Sequence, residues 1–88
     1  MINYTTMKKL PNNLEKTLVS YVKWETSYSY MQDIVTNYIE KKNLKNETLK
    51  INMIMNDLRW VKTTLENWNV TQAKENLEFV KNTLLYIN

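Results

Sequence analysis

The sequence predicts an all-α protein: an antiparallel three-helix bundle with a long first helix, residues about 12–42, and a C-terminal helical hairpin, residues about 47–68 and 70–87. Two observations predict this fold. Apolar residues recur at spacings of three and four along most of the chain, which is the period of a helix with one buried face. The second of the predicted helices also keeps a strict heptad, which favours the shallow left-handed packing of helical bundles. We expect one helical domain with an irregular N-terminal arm, residues 1–10.

The first helix is expected to begin at Asn12, an N-cap residue that Glu15 supports from three positions further on. One heptad phase then continues through residues 24–33, WETSYSYMQD, in which no glycine, proline or asparagine occurs. A turn usually resets the phase of a heptad, so this pattern favours an unbroken helix with Trp24 directed inward.

The alternative is a four-helix bundle with a turn near residues 26–29. Ser29 followed by Gln32 has the spacing of a capping box, and threonine, serine and tyrosine are mediocre helix formers. At 1.5 Å per residue the long helix is also longer than either helix of the hairpin, so that its first half would lack a covering partner. A turn would bring that half back against the rest of the protein.

The C-terminal hairpin has the most regular pattern. Its first helix is expected to start at the N-cap Asn46, and its second at Asn69, which forms a capping-box variant with Gln72. In the absence of glycine, we expect asparagine at the left-handed positions that end helices. The predicted core residues of the two helices are Ile51, Ile54, Leu58, Val61, Leu65 and Trp68, and then Ala73, Leu77, Val80, Leu84 and Ile87.

The sequence lacks most of the residue types that catalysis and metal binding use. The chain has no histidine and no cysteine, the residues most often used as general base, nucleophile or zinc ligand. Glu25 is the one carboxylate at a core-facing heptad position, and we interpret it as bonded to a tyrosine or lysine rather than as a catalytic acid. We therefore expect no enzymatic activity, no cofactor and no metal site.

The informative anomaly is a second apolar face. If the core stripe of each helix is taken as its front, a step of about 100° per residue places further large apolar residues on its back. Aromatic residues and methionine are enriched at protein interfaces. The predicted partner-binding residues are Tyr30, Ile34, Leu49, Met53, Trp60, Phe79 and Tyr86. The alternative is that a wide core or the N-terminal arm covers them.

The charge pattern carries a second hypothesis. The net charge is +3, and most of the excess lies in two lysine clusters. A phosphate backbone needs a continuous basic face, which these clusters can form only if a break in the first helix brings them to one end of the bundle. The nucleic-acid candidates are Lys41, Lys42, Lys45 and Lys50, with Lys8 and Lys9 forming the other cluster. The single arginine argues against base readout, and mixed charges along the helices argue against membrane binding.

The sequence thus favours a small non-catalytic protein that binds a protein target, as an inhibitor or immunity-type factor. Its thirteen asparagines and eleven lysines have AT-rich codons, which indicates a phage, a plasmid or an AT-rich bacterium. In size, basic charge, helical hairpin and lack of cysteine, the chain resembles pediocin-type bacteriocin immunity proteins in outline. The alternatives are a basic nucleic-acid-binding regulator and a homodimeric structural protein. Without a signal peptide or an apolar span, a cytoplasmic location is expected.

Overall fold

The computed structural model describes residues 9–42 and 47–87. Within them the chain is all-helical, with four α-helices and no strand. The helices are α1 (Asn12–Val22), α2 (Tyr28–Lys41), α3 (Thr48–Glu66) and α4 (Val70–Tyr86). The predicted hairpin is therefore confirmed, with its ends displaced by at most two residues.

The unbroken first helix predicted over residues 12–42 is wrong. α1 ends at Val22 and α2 begins at Tyr28, so residues 23–27 connect two separate helices. The four-helix alternative is closer, although the connection only partly overlaps the predicted 26–29. Ser27 rather than Ser29 caps α2: its Oγ accepts a hydrogen bond of 3.1 Å from the Tyr30 N–H.

A Schellman motif built on a tryptophan ends α1. The Glu25 N–H donates to the Ser20 carbonyl at 2.9 Å, and the Trp24 N–H donates to the Tyr21 carbonyl at 3.1 Å. Trp24 adopts φ 64°, in the left-handed region. A non-glycine residue is disfavoured there by roughly 1–2 kcal/mol.

α3 ends in the same way. The Asn69 N–H donates to the Thr64 carbonyl at 2.9 Å and the Trp68 N–H to the Leu65 carbonyl at 3.0 Å, while Trp68 adopts φ 63°. Asn69 also begins α4, because its Oδ1 accepts from the Gln72 N–H at 3.2 Å, as predicted. The prediction that asparagine takes the left-handed positions is wrong at both ends, where a tryptophan does.

Two other expectations about helix starts have different outcomes. α1 does begin at Asn12, but Pro11 is its N-cap and no side chain makes a capping hydrogen bond, so the predicted Asn12 cap is wrong. Proline can take this position because the first amides of a helix have no partner within it. The predicted cap Asn46 and the first part of the N-terminal arm, residues 1–8, lie outside the described residues.

The helices alternate in direction. The end of α1 meets the start of α2, where the Tyr21 and Tyr28 rings lie 5.7 Å apart, and Lys62 near the end of α3 lies 5.1 Å from the Tyr28 ring centroid. Near the other end, Lys81 of α4 pairs with Glu15 of α1 at 3.6 Å. The 23–27 and 67–69 connections therefore lie at the same end of the molecule.

The four helices share one apolar core. α3 and α4 pack against each other most extensively, and α1 lies against both α2 and α4. The buried apolar side chains are Leu10, Leu14, Leu18, Tyr21, Val22, Met31, Val35, Ile39, Ile54, Leu58, Val61, Leu65, Ala73, Leu77, Val80, Leu84 and Ile87. The predicted hairpin core is confirmed except at Ile51, which is half-buried, and at Trp68, which is exposed. Leu10 shows that the arm enters the core at its last residue.

No helix within residues 9–42 and 47–87 combines the length and the apolar character that crossing a membrane requires.

Candidate protein-interaction site

Six of the seven predicted partner-binding residues are exposed to half of their surface or more. They are Tyr30, Leu49, Met53, Trp60, Phe79 and Tyr86. Ile34 is the exception, because it is half-buried and packs against the core. The prediction that Ile34 presents a free outward surface is therefore wrong.

The outward side of α3 carries three of these residues. Leu49, Met53 and Trp60 follow at intervals of four and seven, so a step of about 100° per residue places them within one narrow sector. The α2-facing side of α3 is marked by Lys62, which lies over the Tyr28 ring. The sector with Trp60 lies on the opposite flank, toward α4.

The outward side of α4 carries two more. Phe79 and Tyr86 are seven residues apart and therefore share a sector. Lys81, which pairs with Glu15, marks the α1-facing side of α4. Phe79 and Tyr86 lie on the other flank, toward α3.

These two sectors form one surface. Because the connection between α3 and α4 is only residues 67–69, antiparallel pairing sets the level of each side chain along the hairpin. Phe79 falls between the levels of Trp60 and Met53, and Tyr86 falls near Leu49. We call this alternating stripe the hairpin face: Leu49, Met53, Trp60, Phe79 and Tyr86.

The charges on the hairpin face are acidic. Asp57 lies between Met53 and Trp60 along α3, and it is half-buried. Desolvation by burial raises the pKa of its carboxyl above the ordinary value. Within the described chain no lysine or arginine forms an ion pair with Asp57. A carboxylate in this position is thus destabilised by burial without a compensating cation.

On α4, acidic residues border Phe79. A shallow depression of about 350 Å³ is lined by Glu75, Glu78, Phe79 and Asn82. Glu78 pairs with Lys81 at 3.6 Å, whereas Glu75 is exposed and makes no ion pair within the described residues. Phe79 therefore stands beside a carboxylate that is available to a partner.

The basic residues of the hairpin lie elsewhere or are paired. On the α2 side, Lys62 lies over the Tyr28 ring, and the positive charge of Arg59 interacts with the Tyr28 hydroxyl. Lys74 and Lys81 line the groove between α4 and α1, which Glu75 and Glu78 also border from its outer side. Lys50 pairs with Glu47 at 3.4 Å.

Tyr30 does not belong to the hairpin face. It lines a small depression between α1 and α2 together with Asn13, Lys16 and Ser20. It is 52% exposed and thus resembles Trp60, at 55%, in exposure but not in surroundings.

Two exposed tryptophans were expected in the core. Trp24 is 53% exposed and Trp68 is 78% exposed, and their ring centroids lie 5.4 Å apart with a tilt of 39°. We call them the tryptophan pair. They occupy the same position of two Schellman motifs, three residues after the buried Tyr21 and Leu65. The same spacing of three also fits a helix that continues, so the sequence does not distinguish these two tryptophans from core residues.

Glu25 was expected at the edge of the core, and this is also wrong, because Glu25 is exposed in the connection after α1. Of the candidate lysines, Lys41, Lys42 and Lys50 are exposed at the end of the molecule opposite the tryptophan pair. Lys42 lies 5.3 Å from the Tyr38 ring centroid. Lys45 lies outside the described residues.

In the described part of the chain, no three acidic, histidine or cysteine residues come together as metal ligands would. No protein-family model matches the chain, and no curated protein or solved structure is significantly similar to it.

Proposed function

We propose that this chain is a non-catalytic binding protein that occupies a protein target through the hairpin face. The observation that carries the proposal is the alignment of five large, exposed apolar side chains on the adjoining flanks of two packed helices. Single exposed apolar residues are common on any protein, but a contiguous apolar patch is typical of an interaction site.

The composition of the hairpin face supports this use. Tryptophan, tyrosine and phenylalanine are enriched at protein interfaces, and methionine adapts its shape to a partner. Neither the Trp60 ring nor the Phe79 ring stacks on another ring among the described residues. Both present their surface to solvent in the free protein.

The mode of action that fits such a surface is occupancy. A helical hairpin of this kind presents a preformed apolar stripe, so a target can bind it without ordering a loop. We propose an inhibitor or immunity-type factor, encoded by a phage, a plasmid or an AT-rich bacterium, that acts by covering a functional surface of its target.

Co-purification from the host with matched variants tests the proposal. The double variant Trp60→Ala with Phe79→Ala removes two of the three rings of the hairpin face, one from each helix. Tyr30→Ala is the control, because it removes an equally exposed ring outside that face. We expect a protein that accompanies the wild type and Tyr30→Ala to be lost with the double variant, while circular dichroism shows the same helical content for all three.

Two results would contradict the proposal. One is a partner that is retained by the double variant and lost with Tyr30→Ala. The other is a cooperative loss of folding in the double variant, which would show that the hairpin face is covered within the protein itself.

A second candidate function has one specific observation in its favour. The separation of α1 from α2 brings Lys9, Lys41, Lys42 and Lys50 to one end of the molecule, as phosphate binding would require. Gel shifts with duplex and single-stranded DNA at low salt test it. Binding that Lys41→Glu with Lys42→Glu abolishes would support a nucleic-acid role, and no shift at low salt would end it.

A further inference from the structure

We infer that the hairpin face is built for a cationic amphipathic helix of its target, a segment that presents apolar side chains flanked by lysine or arginine. This inference rests on the proposed function and adds the chemistry of the partner. It follows from the sign and the position of the charges around the apolar stripe.

One acidic group lies within the apolar stripe, and another lies at its edge. Asp57 lies in the stripe itself, between Met53 and Trp60, and Glu75 borders Phe79 on the other helix. A carboxylate within an apolar stripe and another at its edge can each receive a cation from a helix that lies along it.

The local charge is opposite to that of the whole protein. The chain carries a net charge of +3, yet four of the five cations on α3 and α4 lie over Tyr28, line the groove beside α1 or pair with a glutamate. The fifth, Arg59, interacts electrostatically with Tyr28 of α2. An acidic apolar surface on a basic protein selects its partner by charge complementarity.

The dimensions of the hairpin face suit a helix of about three turns. Leu49 and Trp60 are eleven residues apart on α3, which corresponds to about 17 Å along the axis. A helix that binds in a groove uses apolar residues at i, i+3 or i+4, and i+7, which span about 10.5 Å, so the face has room for these residues and about one further turn.

Other occupants match the face less well. A twofold symmetric dimer through this face would bring Asp57 and Glu75 near the same carboxylates of the second copy, and like charges brought together at an interface disfavour association. Nucleic acids and anionic membranes are repelled for the same reason.

Two synthetic probe peptides test the inference. Both form an amphipathic helix with the same leucine and phenylalanine face, and their flanking residues are lysine in one and glutamate in the other. Fluorescence anisotropy is measured with a labelled peptide at about 0.15 M salt, where weak long-range attraction is screened. We expect the lysine peptide to bind the wild type at least tenfold more tightly than the glutamate peptide.

Variants assign the effect to the hairpin face. Trp60→Ala with Phe79→Ala should weaken binding of the lysine peptide at least tenfold. Asp57→Lys with Glu75→Lys should reverse the preference, and Glu75→Lys alone, at an exposed position, gives a reduced preference without risk to the core. Glu40→Lys, on exposed α2 surface, is the charge-matched control and should leave the preference unchanged.

The inference is overturned if the lysine peptide does not bind, if both peptides bind equally, or if charge reversal leaves the preference unchanged. A dimer in light scattering that Phe79→Ala dissociates would also overturn it, since the occupant would then be a second copy.

The proposed function fails separately from this inference. A co-purified target that is lost with Trp60→Ala and Phe79→Ala but retained with Asp57→Lys and Glu75→Lys supports binding by the hairpin face and contradicts a cationic partner. A target retained by the first double variant contradicts the proposed function itself.

Discussion

The tryptophan pair and the hairpin face are both exposed and aromatic, but they differ in what their side chains contact. Trp24 is nearly as exposed as Trp60 and Trp68 is more exposed, yet the rings of Trp24 and Trp68 lie against each other at 5.4 Å. The Trp60 and Phe79 rings make no such contact among the described residues. The first region joins two parts of the fold, and the second presents its surface outward.

This difference shows that exposure alone does not identify an interaction site. The tryptophan pair connects the 23–27 turn to the 67–69 turn, and each ring extends from a left-handed backbone position. Such positions are maintained only where the surrounding structure compensates for them. Substitutions in the tryptophan pair should therefore change stability, and substitutions in the hairpin face should change binding.

The largest effect is expected on the buried side of α3 and gives the scale for the others. Leu58 is fully buried, so Leu58→Ala should lower the free energy of unfolding by about 2–5 kcal/mol. Trp60→Ala, two residues further on the same helix, should change it by less than about 0.5 kcal/mol. Urea denaturation measures both, and an equal loss in the two variants would place Trp60 in the core.

The next effect concerns the tryptophan pair. Trp68→Ala loses the ring contact and keeps an unfavourable left-handed residue, so it should destabilise the protein by roughly 1 kcal/mol. Trp68→Gly also loses the ring but removes the backbone penalty, and it should be about 1 kcal/mol more stable than Trp68→Ala. The same difference is expected at Trp24.

A double-mutant cycle on Trp24→Ala and Trp68→Ala separates the ring contact from the backbone term. A coupling energy of about 0.5–1.5 kcal/mol is expected for an aromatic pair. Additive effects would show that the two turns are stabilised independently.

A smaller effect compares the two caps beside these turns. Ser27 Oγ and Asn69 Oδ1 each accept one backbone hydrogen bond, at 3.1 and 3.2 Å. Ser27→Ala and Asn69→Ala should each lower stability by about 1 kcal/mol, and the corresponding glycine variants by only a few tenths. Thermal melting followed by circular dichroism measures this, and no loss in Ser27→Ala would contradict the cap assigned to α2.

The smallest effect is expected at Asp57. Burial raises the pKa of its carboxyl above 3.8, so protonation stabilises the folded state. This stabilisation is fully present at pH values below the pKa that Asp57 has in the unfolded chain. It is lost as the pH rises through the higher pKa that Asp57 has in the folded protein. Asp57→Asn should therefore leave stability at neutral pH unchanged or slightly higher and remove this part of the pH dependence, as urea denaturation between acidic and neutral pH can show. A clear loss of stability at neutral pH would mean that the carboxylate has a compensating partner.

The hairpin could be predicted because its signals are local. Asn69 has a side chain that caps α4, and the apolar period in α3 and α4 identifies which residues are buried. The turn at residues 23–27 could not be predicted in this way, because its left-handed residue is Trp24 and no glycine or asparagine lies in it. Leu18 in α1 and Val35 in α2 are both buried, and their positions fit one heptad phase although the chain turns between them. The heptad phase therefore identifies buried positions but does not reveal the turn.

The candidate site was predictable in its parts but not in its assembly. Helical periodicity placed Met53, Trp60 and Phe79 on outward faces, and all three are exposed. Their union into one surface depends on the pairing of α3 with α4, and the role of Asp57 depends on its burial there. Ile34 was misplaced because it lies at the edge of the core side of α2, next to Val35 and three residues after Met31, and packs against the core from there.

Thermal melting of two double variants tests the central distinction most directly. Trp60→Ala with Phe79→Ala should melt within a few degrees of the wild type, because a change of about 0.5 kcal/mol shifts the midpoint of a domain of this size by only about 2–4 °C. Trp24→Ala with Trp68→Ala should melt clearly lower, because it removes the contact between the two turns. The opposite order, with the hairpin-face variant the less stable, would contradict the account.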